Sequence, residues 1–458
     1  MNDFMLEFKP ITLEDAQVLR PFVTSPARFS CESSTANLVV WAKMYDNKYA
    51  IKDGMLFIKS AGAEKETYRL PFGGNLQKGI QILKDYTKTE YPPLWVQQGE
   101  RFLDFKVNFG EFYEFIPQRD AFDYVYLQED LANLSGKKYH SKRNHISAFS
   151  KKYNWEYRKI TRDNLPDIFE CMKKWYSEKT DRFDDTMSTE KQGIELILNN
   201  MESLNIKGGA IYIDGKVVAF TLGSPINKDV FDVHIEKALA EYATAYTVIN
   251  NEFAKTLSDY KYINREDDLG LEGLRKAKLS YKPHLLLKKY LCISKKEWIK
   301  NIYHRAFSEE DNTFEDKLFD TCFKYIRTLE KEDRTVAMCF ALPCKIGEKQ
   351  AKYIFAVTTA YEFRGKGCAT ELIEKIKAED DSILILRPVN EGLIPFYEKM
   401  GFSTFTATNE PNGFALTPLE EYAQLANENK EENGTFTAMY YSKETENLEN
   451  LYFPYSMP

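Results

Sequence analysis

One stretch, residues 353–378, restricts the possible folds more than any other part of the chain. Residues 353–359 are apolar and mostly aromatic or β-branched, which predicts a buried strand. A loop with two glycines follows at residues 364–369, and the apolar residues after it recur at helical spacing. In this order of elements, the backbone N–H groups at the start of the helix can bind a phosphate. The sequence therefore predicts an anion site in the last third of the chain.

A second pattern follows this loop at a short distance. Residues 382–386 are predicted to form the next buried parallel strand, and residues 396–402 read FYEKMGF. Together the two segments resemble the GNAT superfamily of acyl-CoA-dependent N-acyltransferases. The residues that match its two motifs are Arg364, Gly367 and Ala369 in the loop, then Asn390, Tyr397, Lys399, Gly401 and Phe402.

This resemblance implies a binding mode for acetyl-CoA or another short acyl-CoA. The diphosphate would lie on the amides of the loop, and the pantetheine arm would pair with the backbone of the preceding strand. The implied cofactor-binding residues are Val357, Thr359, Arg364, Gly365, Lys366, Gly367, Cys368 and Ala369. Arg364 and Lys366 would add Coulomb attraction to the hydrogen bonds of the amides.

The resemblance also implies catalytic roles for Tyr397 and Asn390. A tyrosine at position 397 would protonate the departing thiolate, while a base or an ordered water takes the proton of the amine. The alternative is that Tyr397 only packs in the core, because its helix is amphipathic. Asn390 would position the backbone or the cofactor. Cys368 is interpreted as a small residue packed against the sheet, since no histidine partner is evident.

The basic segment, residues 137–159, differs in charge from the rest of the chain. It holds eight lysines and arginines against a single acid, Glu156, in a protein of net charge −7. Apolar residues at helical spacing predict a helix with one basic face, which suits phosphate backbones or anionic head groups. The alternative is an ordinary solvated helix. The predicted polyanion-binding residues are Lys137, Lys138, Lys142, Arg143, Lys151 and Lys152.

Residues 1–293 resemble the soluble C-terminal domain of phosphatidylglycerol lysyltransferases. The resemblance rests on LSGKKYHSKRNHI at 134–146, NRED at 264–267 and GLRKAKLSYKP at 273–283. That family is a tandem pair of GNAT-like folds, related to transferases that use aminoacyl-tRNA. The membrane-spanning part of those enzymes has no counterpart in this sequence. Residues 237–244, which precede a predicted helix, contain no glycine and should bind pyrophosphate poorly.

These patterns predict an α+β or α/β protein with three GNAT-like mixed sheets flanked by helices. The predicted boundaries give two subdomains, residues 1–130 and 131–293, followed by an acyltransferase domain at residues 296–458. Within residues 1–293 we predict hairpins that turn at Asp53-Gly54 and Asp214-Gly215, and a final strand over residues 285–293. In the last domain, residues 316–329 are expected to form a helix.

Composition excludes several classes of protein. No apolar run is long enough to span a membrane, and the N-terminus lacks a secretory hydrophobic region. The seven cysteines form no disulfide framework, and Cys339 and Cys344 lack the partners of a zinc site. We therefore expect a cytoplasmic protein with reduced thiols and no metal.

The function that follows is acyl-CoA-dependent transfer of an acyl group to an amine of unknown identity. In this interpretation, residues 1–293 bind the acceptor or the donor. Two alternatives remain: an aminoacyl-tRNA-dependent transferase in residues 1–293, or a non-catalytic binding module fused to an active GNAT domain. The basic segment favours a tRNA partner ahead of an anionic lipid.

Overall fold

The structure is a computed structural model that describes residues 6–61, 65–179, 185–307, 313–410, 412–413, 415–418, 434–444 and 446–453. The chain divides into two compact units, Met1–Ile293 and Ser294–Pro458, here called unit 1 and unit 2. Among the described residues, no helix is both long and apolar enough to cross a membrane.

Unit 1 contains two mixed sheets with helices around them. Its strands are β1 (Lys9–Pro10), β2 (Lys48–Lys52), β3 (Met55–Ala61), β4 (Glu66–Arg69), β5 (Leu94–Gln97), β6 (Tyr113–Pro117), β7 (Asp123–Leu127), β8 (Trp155–Lys159), β9 (Lys207–Ile213), β10 (Lys216–Pro225), β11 (Val230–Ala238), β12 (Tyr262–Asn264), β13 (Leu285–Leu287) and β14 (Lys289–Ser294). Its helices are α1 (Ala16–Val23), α2 (Thr35–Val40), α3 (Leu76–Thr87), α4 (Glu100–Phe109), α5 (Gln128–Asn133), α6 (His140–Lys152), α7 (Leu165–Ser177), α8 (Asp185–Asn199), α9 (Ala245–Lys255) and α10 (Glu272–Leu279).

The strand order is β1-β2-β3-β4-β5-β14-β6 in the first sheet and β13-β7-β12-β11-β10-β9-β8 in the second. Two predicted hairpins, β2–β3 and β9–β10, are confirmed. Their turns use Asp53-Gly54 and Asp214-Gly215, and all four residues have positive φ. Two consecutive left-handed residues match the twist of antiparallel strands, which is why Asp-Gly predicts such turns well.

The chain crosses between the two sheets of unit 1. Strand β7 precedes residue 130 but belongs to the second sheet, and β14 returns to the first sheet. The predicted division at residue 130 therefore does not coincide with the sheets. The single strand predicted for residues 285–293 is wrong, because the segment forms β13 and β14 in different sheets. The basic segment is also not one helix, since it ends in β8, which carries Arg158 and Lys159.

Unit 2 contains one mixed sheet. Its elements are α11 (Lys295–Phe307), α12 (Thr313–Cys322), β15 (Ile326–Lys331), β16 (Arg334–Ile346), β17 (Lys349–Thr359), α13 (Cys368–Lys377), β18 (Ile383–Leu386), α14 (Ile394–Glu398), β19 (Ser403–Thr408), β20 (Leu416–Pro418), β21 (Thr435–Tyr441) and β22 (Leu451–Tyr452). The strand order is β15-β16-β17-β18-β21-β19-β22, and β20 pairs with β16. The helix predicted for residues 316–329 is only partly present. Helix α12 ends at Cys322, and the chain then forms β15, in which Leu329 is fully buried.

The core of unit 2 holds the glycine loop in place. Leu372, Ile373 and Ile376 of α13 are at most 1% exposed and pack in one cluster with Leu384 and Leu386 of β18. Burial of aliphatic side chains of this size contributes about 1.5–3 kcal/mol each. The N-terminus of α13 is therefore held rigidly beside the end of β17. With three mixed sheets flanked by helices, the predicted fold class is confirmed.

Candidate functional site

A β-bulge interrupts β17 shortly before the glycine loop. Thr358 pairs with Met338 and Phe355 pairs with Phe340, so Ala356 and Val357 together oppose the single residue Cys339. Ala356 has a φ of 55°, a left-handed conformation that is costly for any residue except glycine. The bulge bends the strand and turns its backbone groups out of the regular ladder. Nothing in the sequence signals it, because alanine is not one of the residues, such as glycine or asparagine, that usually mark a positive φ.

The two parallel strands of unit 2 separate beyond this point. Strands β17 and β18 pair from Ala351↔Ile383 to Tyr353↔Ile385, and β18 ends one residue later. Strand β17 continues to Thr359, so residues 354–359 have no partner from β18 on that edge. An extended ligand can form backbone hydrogen bonds along such an edge. The edge includes Val357 and Thr359, both half-buried.

The glycine loop places the first-turn amides of α13 beside an open space. Two other loop amides are already used, since Arg364 N donates to the carbonyl of Tyr361 at 3.2 Å and Lys366 N to that of Phe363 at 3.4 Å. Gly365 and Gly367 have φ values of 73° and 74°, and Gly367 precedes the first residue of α13. The first-turn amides of a helix have no intrahelical acceptor and lie at the positive end of its dipole. A Cβ added at either glycine would meet no atom within 4 Å. The loop is therefore shaped as an anion cradle with room above it.

The side chains of the loop divide into exposed cations and a buried thiol. Arg364 is exposed and donates from Nε to the carbonyl of Thr359 at 3.3 Å. Lys366 is also exposed, with its Nζ 5.0 Å from the ring centre of Phe363. Cys368 is 2% exposed and packs in the core cluster beneath α13. The cations can meet an anion, whereas the thiol faces the sheet.

Tyr397 lies in the core of unit 2 near the bulge. Its ring packs edge-on against Phe396 and Phe402 at centroid distances of 5.0 and 5.7 Å. Burial raises the pKa of Tyr397 to about 12, and the nearby Cys339 thiol, the residue opposite the bulge, adds to the shift. The phenol is therefore protonated at neutral pH, as a proton donor must be.

Asn390 occupies a different environment. It is exposed on the loop after β18, where its carbonyl accepts a hydrogen bond from the amide of Leu393 at 3.1 Å. A Cβ at Gly392 would lie 3.0 Å from Asn390 Oδ1, so the two residues are closely packed. The geometry is that of a turn residue, and a role toward a cofactor remains a prediction.

A cleft of about 240 Å³ adjoins the glycine loop, and the sequence did not reveal it. One wall belongs to α11 and the other to the end of β17 with the turn that follows. The lining residues are Trp298, Ile302, Arg305, Thr359, Ala360, Tyr361 and Arg364. Trp298 is anchored by a hydrogen bond from Nε1 to the carbonyl of Thr335 at 2.9 Å. The two walls are about sixty residues apart in sequence, so no local pattern could have identified the cleft.

In unit 1, the basic segment contributes to the core as well as to the surface. Lys142 lies on the inner stripe of α6 with Ile146 and Phe149, and its Nζ is 3.8 Å from the ring centre of Tyr281. Burial, together with the charge of Arg265, lowers the pKa of Lys142 to about 8.

The other predicted cations are placed in several ways. Arg143 donates to the carbonyls of Leu134 and Gly136 at 2.5 and 2.8 Å. Lys138 is bound to Asp130 at 3.0 Å. Lys137, Lys151 and Lys152 are exposed, and no described acid forms an ion pair with them. These last three lysines are the ones most accessible to a polyanion.

In the second sheet of unit 1, two parallel strands also separate, but side chains occupy the gap between them. Strands β11 and β12 pair in parallel only through Asp232↔Asn264. Beyond that point Arg265 pairs with Glu236 at 2.9 Å, and His234 contacts Glu266 at 3.0 Å. The segment after β11 forms a 3-10 turn without glycine before α9. This gap therefore lacks both the free strand edge and the glycine cradle of unit 2.

Fold and site together define a protein built from acyltransferase-type domains. The family model described as phosphatidylglycerol lysyltransferase, C-terminal, matches residues 25–293, and the acetyltransferase (GNAT) family model matches residues 294–402. Since the first match spans more than half of the chain, the protein belongs to the phosphatidylglycerol lysyltransferase C-terminal family. The second match confirms the predicted GNAT domain.

Several solved structures are similar to part of this chain. A conserved protein of unknown function from Bacteroides thetaiotaomicron VPI-5482 is 37% identical, with a TM-score of 0.58, over 64% of this chain and 100% of that chain. L-PGS from Bacillus licheniformis is 14% identical, with a TM-score of 0.44, over 64% of this chain and 94% of that chain. A tandem GNAT protein from the clavulanic acid biosynthesis pathway is 8% identical, with a TM-score of 0.34, over 63% and 98% of the two chains. None of the curated proteins compared matches this chain.

Proposed function

We propose that unit 2 transfers an acyl group from acetyl-CoA, or another short acyl-CoA, to an amine. The observation that carries the proposal is the open amide cradle at the N-terminus of α13, next to the unpaired edge of a bulged strand. Such an arrangement would hold a diphosphate and, beside it, an amide-containing arm. The match to the acetyltransferase (GNAT) family over residues 294–402 supports it.

Several residues of unit 2 then have defined tasks. The amides of the loop would hold the diphosphate, with Arg364 and Lys366 adding charge. The edge of residues 354–359 would hold the arm and direct it toward the bulge. An acyl-CoA supplies the activated thioester: the amine nitrogen forms the new C–N bond as the C–S bond breaks. Tyr397 would donate its proton to the departing sulfur and regain one through solvent from the acylated amine.

The cleft beside α11 adjoins the diphosphate end of the proposed site, whereas the thioester would lie toward the bulge and Tyr397. The cleft opens next to Thr359, where β17 ends, and its walls combine the indole of Trp298 with the exposed cations Arg305 and Arg364. An apolar wall with cations at the rim suits an anionic part of the acyl-CoA or of the acceptor, while the amine itself must reach the thioester near the bulge.

A thiol-release assay tests the proposed activity. The full chain is incubated with acetyl-CoA and panels of amino acids, polyamines and peptides, and free CoA is measured. We expect acceptor-dependent release for at least one class of amine. If calorimetry detects no binding of CoA or acetyl-CoA to the full chain, the proposed function is wrong, whichever acceptors were tried.

Replacing Tyr397 with phenylalanine is expected to lower turnover by about 100-fold, the low end of general acid catalysis, because water can partly replace the phenol. CoA affinity should not change, since the substitution removes a hydroxyl and almost no volume. The matched control is Tyr441→Phe, which removes a hydroxyl from another ring packed against the same core. Equal turnover in wild type and Tyr397→Phe at every pH would show that Tyr397 only packs.

A second candidate function concerns unit 1. Membership of the phosphatidylglycerol lysyltransferase C-terminal family supports an aminoacyl-tRNA-dependent transferase there. The exposed lysines of the basic segment supply charge for a polyanion, with tRNA favoured over anionic lipid. The side-chain-filled gap between β11 and β12 argues against a second acyl-CoA site. If unit 1 transfers nothing, it serves as a binding module for the acceptor.

Charge reversal of the basic segment tests this second candidate. Lys137→Glu/Lys151→Glu is expected to weaken tRNA binding. The slope of the logarithm of the binding constant against the logarithm of salt concentration should become shallower by about two, since two phosphate contacts are lost. The matched control, Lys78→Glu/Lys88→Glu, makes the same change of net charge at two exposed lysines of unit 1. Gel-shift and liposome assays across a salt series provide the measurement. If the variant and control bind tRNA and anionic vesicles alike, the basic segment is only a solvated surface.

A further inference from the structure

A cluster of three potential metal ligands lies where β11 and β12 separate in unit 1. Asp232 and His234 lie two residues apart on β11, where His234 is the extra residue of a register shift between the Val233 and Ile235 pairs, and Glu266 follows the end of β12. His234 Nδ1 lies 3.0 Å from Glu266 Oε1 and 3.3 Å from Asp232 Oδ2. One ligand atom from each residue lies within 4.8 Å of the others. The three groups therefore converge on a single point.

Asp232 has no hydrogen bond among the described residues that accounts for its burial, and its ion-pair contact is with His234 Nδ1 at 3.3 Å. Its side chain is fully buried, and neither carboxylate oxygen has a hydrogen-bond partner among the described residues. Removing a carboxylate from water without hydrogen bonds or a counter-charge is costly, so buried carboxylates are normally paired or bound to a metal. Lys278 and Lys289 are the nearby cations, but neither forms an ion pair with Asp232. The unpartnered oxygens lie at the cluster, beside His234 Nδ1.

The surroundings of His234 orient its ring as a metal ligand requires. His234 Nε2 lies 2.8 Å from the buried Ser224 Oγ, which lies 3.0 Å from Ser34 Oγ. Without an ion, Nδ1 is within hydrogen-bond distance of Glu266 Oε1. With an ion bound, Nε2 would donate its proton to Ser224 and the lone pair of Nδ1 would face the ion. Such a hydrogen bond on the far nitrogen is the usual support of a metal-binding histidine. Glu266 is held as well, because Asn37 Nδ2 donates to its Oε1 at 3.0 Å.

We propose that Asp232, His234 and Glu266 bind a divalent transition-metal ion of the zinc or manganese type. One imidazole nitrogen and two carboxylates form a ligand set that suits these ions better than calcium or magnesium. Two carboxylates neutralise the charge of the ion, and the ion supplies the partner that Asp232 lacks. The Glu266 side chain is 20% exposed, so solvent or a ligand can reach the site from that side. The proposal stands independently of acyl-CoA binding in unit 2.

Metal analysis of the full chain tests the proposal. Protein is prepared without a metal-affinity step, and bound metals are measured by mass spectrometry. It is then stripped with a chelator and titrated with Zn²⁺, Mn²⁺ and Mg²⁺ by calorimetry and thermal unfolding. We expect one saturable site for Zn²⁺ or Mn²⁺, a rise in melting temperature on binding, and little response to Mg²⁺. Absence of a saturable site for both transition metals would overturn the proposal and mean that Asp232 is held protonated instead.

Substitutions test whether the metal ion binds at Asp232, His234 and Glu266. Asp232→Asn is expected to abolish saturable binding, while Ser224→Ala should weaken it by about 10-fold through loss of ring orientation. The control Glu202→Gln removes an exposed carboxylate of unit 1 and should bind metal as wild type does. In chelator, Asp232→Asn should be at least as stable as the stripped wild type, because the buried carboxyl group has no hydrogen bond to lose. Unchanged metal affinity in Asp232→Asn would show that the ion binds elsewhere.

Discussion

Replacing Gly367 with tryptophan is expected to reduce acyl-CoA affinity on the order of 1,000-fold, about 4 kcal/mol. The residue immediately precedes α13, and the space above its Cα is open, so an indole there would cover the first-turn amides. Loss of two charge-assisted hydrogen bonds to a diphosphate accounts for this magnitude. Calorimetric titration of CoA into the full chain provides the measurement.

The matched control is Gly367→Ala. Both substitutions place an L-residue at a φ of 74°, so they share the backbone cost, but the alanine Cβ would meet no atom within 4 Å. We therefore expect the alanine variant to retain most of its affinity. Undiminished CoA binding in Gly367→Trp would mean that this loop does not bind the diphosphate. Similar losses in both variants would point to backbone strain as the cause.

Replacing Lys289 with methionine is expected to destabilise unit 1 by about 3–5 kcal/mol. Lys289 is 1% exposed on β14 of the first sheet, and its Nζ lies 2.7 Å from Asp123 Oδ1 on β7 of the second sheet. It also lies 3.3 Å from Glu32 Oε1. Burial acts to lower the pKa of Lys289, but Asp123 and Glu32 outweigh it and hold that pKa well above its ordinary value. The variant leaves a buried carboxylate without its cation, which is the costly arrangement.

The free energy of unfolding is measured by urea titration of the full chain. Comparing Lys289→Met with a double variant separates the effect of the lost charge from the effect of changed packing. Asp123→Asn/Lys289→Met removes both charges and retains an acceptor for the Cys31 amide, which donates to Asp123 at 2.9 Å. It should be more stable than Lys289→Met alone. Lys276→Met is the control, since its ion pair with Glu272 is largely exposed and should contribute little. A Lys289→Met variant as stable as this control would refute the buried pair.

Much of the candidate acyl-CoA site could be predicted from the sequence because its signals are local. A strand, two glycines and an amphipathic helix lie within twenty-six residues, and the structure places them as β17, the loop and α13. The Asp-Gly hairpins are local in the same sense, since two adjacent residues decide the turn. The predicted sites on this loop, and the role of Tyr397, now have a geometry that the experiments above can test.

Other predictions failed where packing between distant segments decides the outcome. The sequence predicts one apolar strand for residues 285–293. In the structure this strand is interrupted at Lys288, and its two parts, β13 and β14, belong to different sheets. Charge alone placed Lys142 among the surface cations, whereas the stripe of α6 that packs inward includes it. No metal was expected from the sequence, because Glu266 is more than thirty residues from Asp232 and His234 and shares no motif with them.

The sequence by itself determined the strand, glycine loop and helix of residues 353–378, the Asp-Gly turns and the families of both units. These follow from φ/ψ preferences and hydrophobic periodicity, which act over a few residues. Only the tertiary structure decided the left-handed Ala356 at the bulge, the cleft beside α11, the Lys289 ion pairs and the convergence of Asp232, His234 and Glu266. Each of these depends on which distant strands and helices pack together and in what register, and that information is distributed over the whole chain.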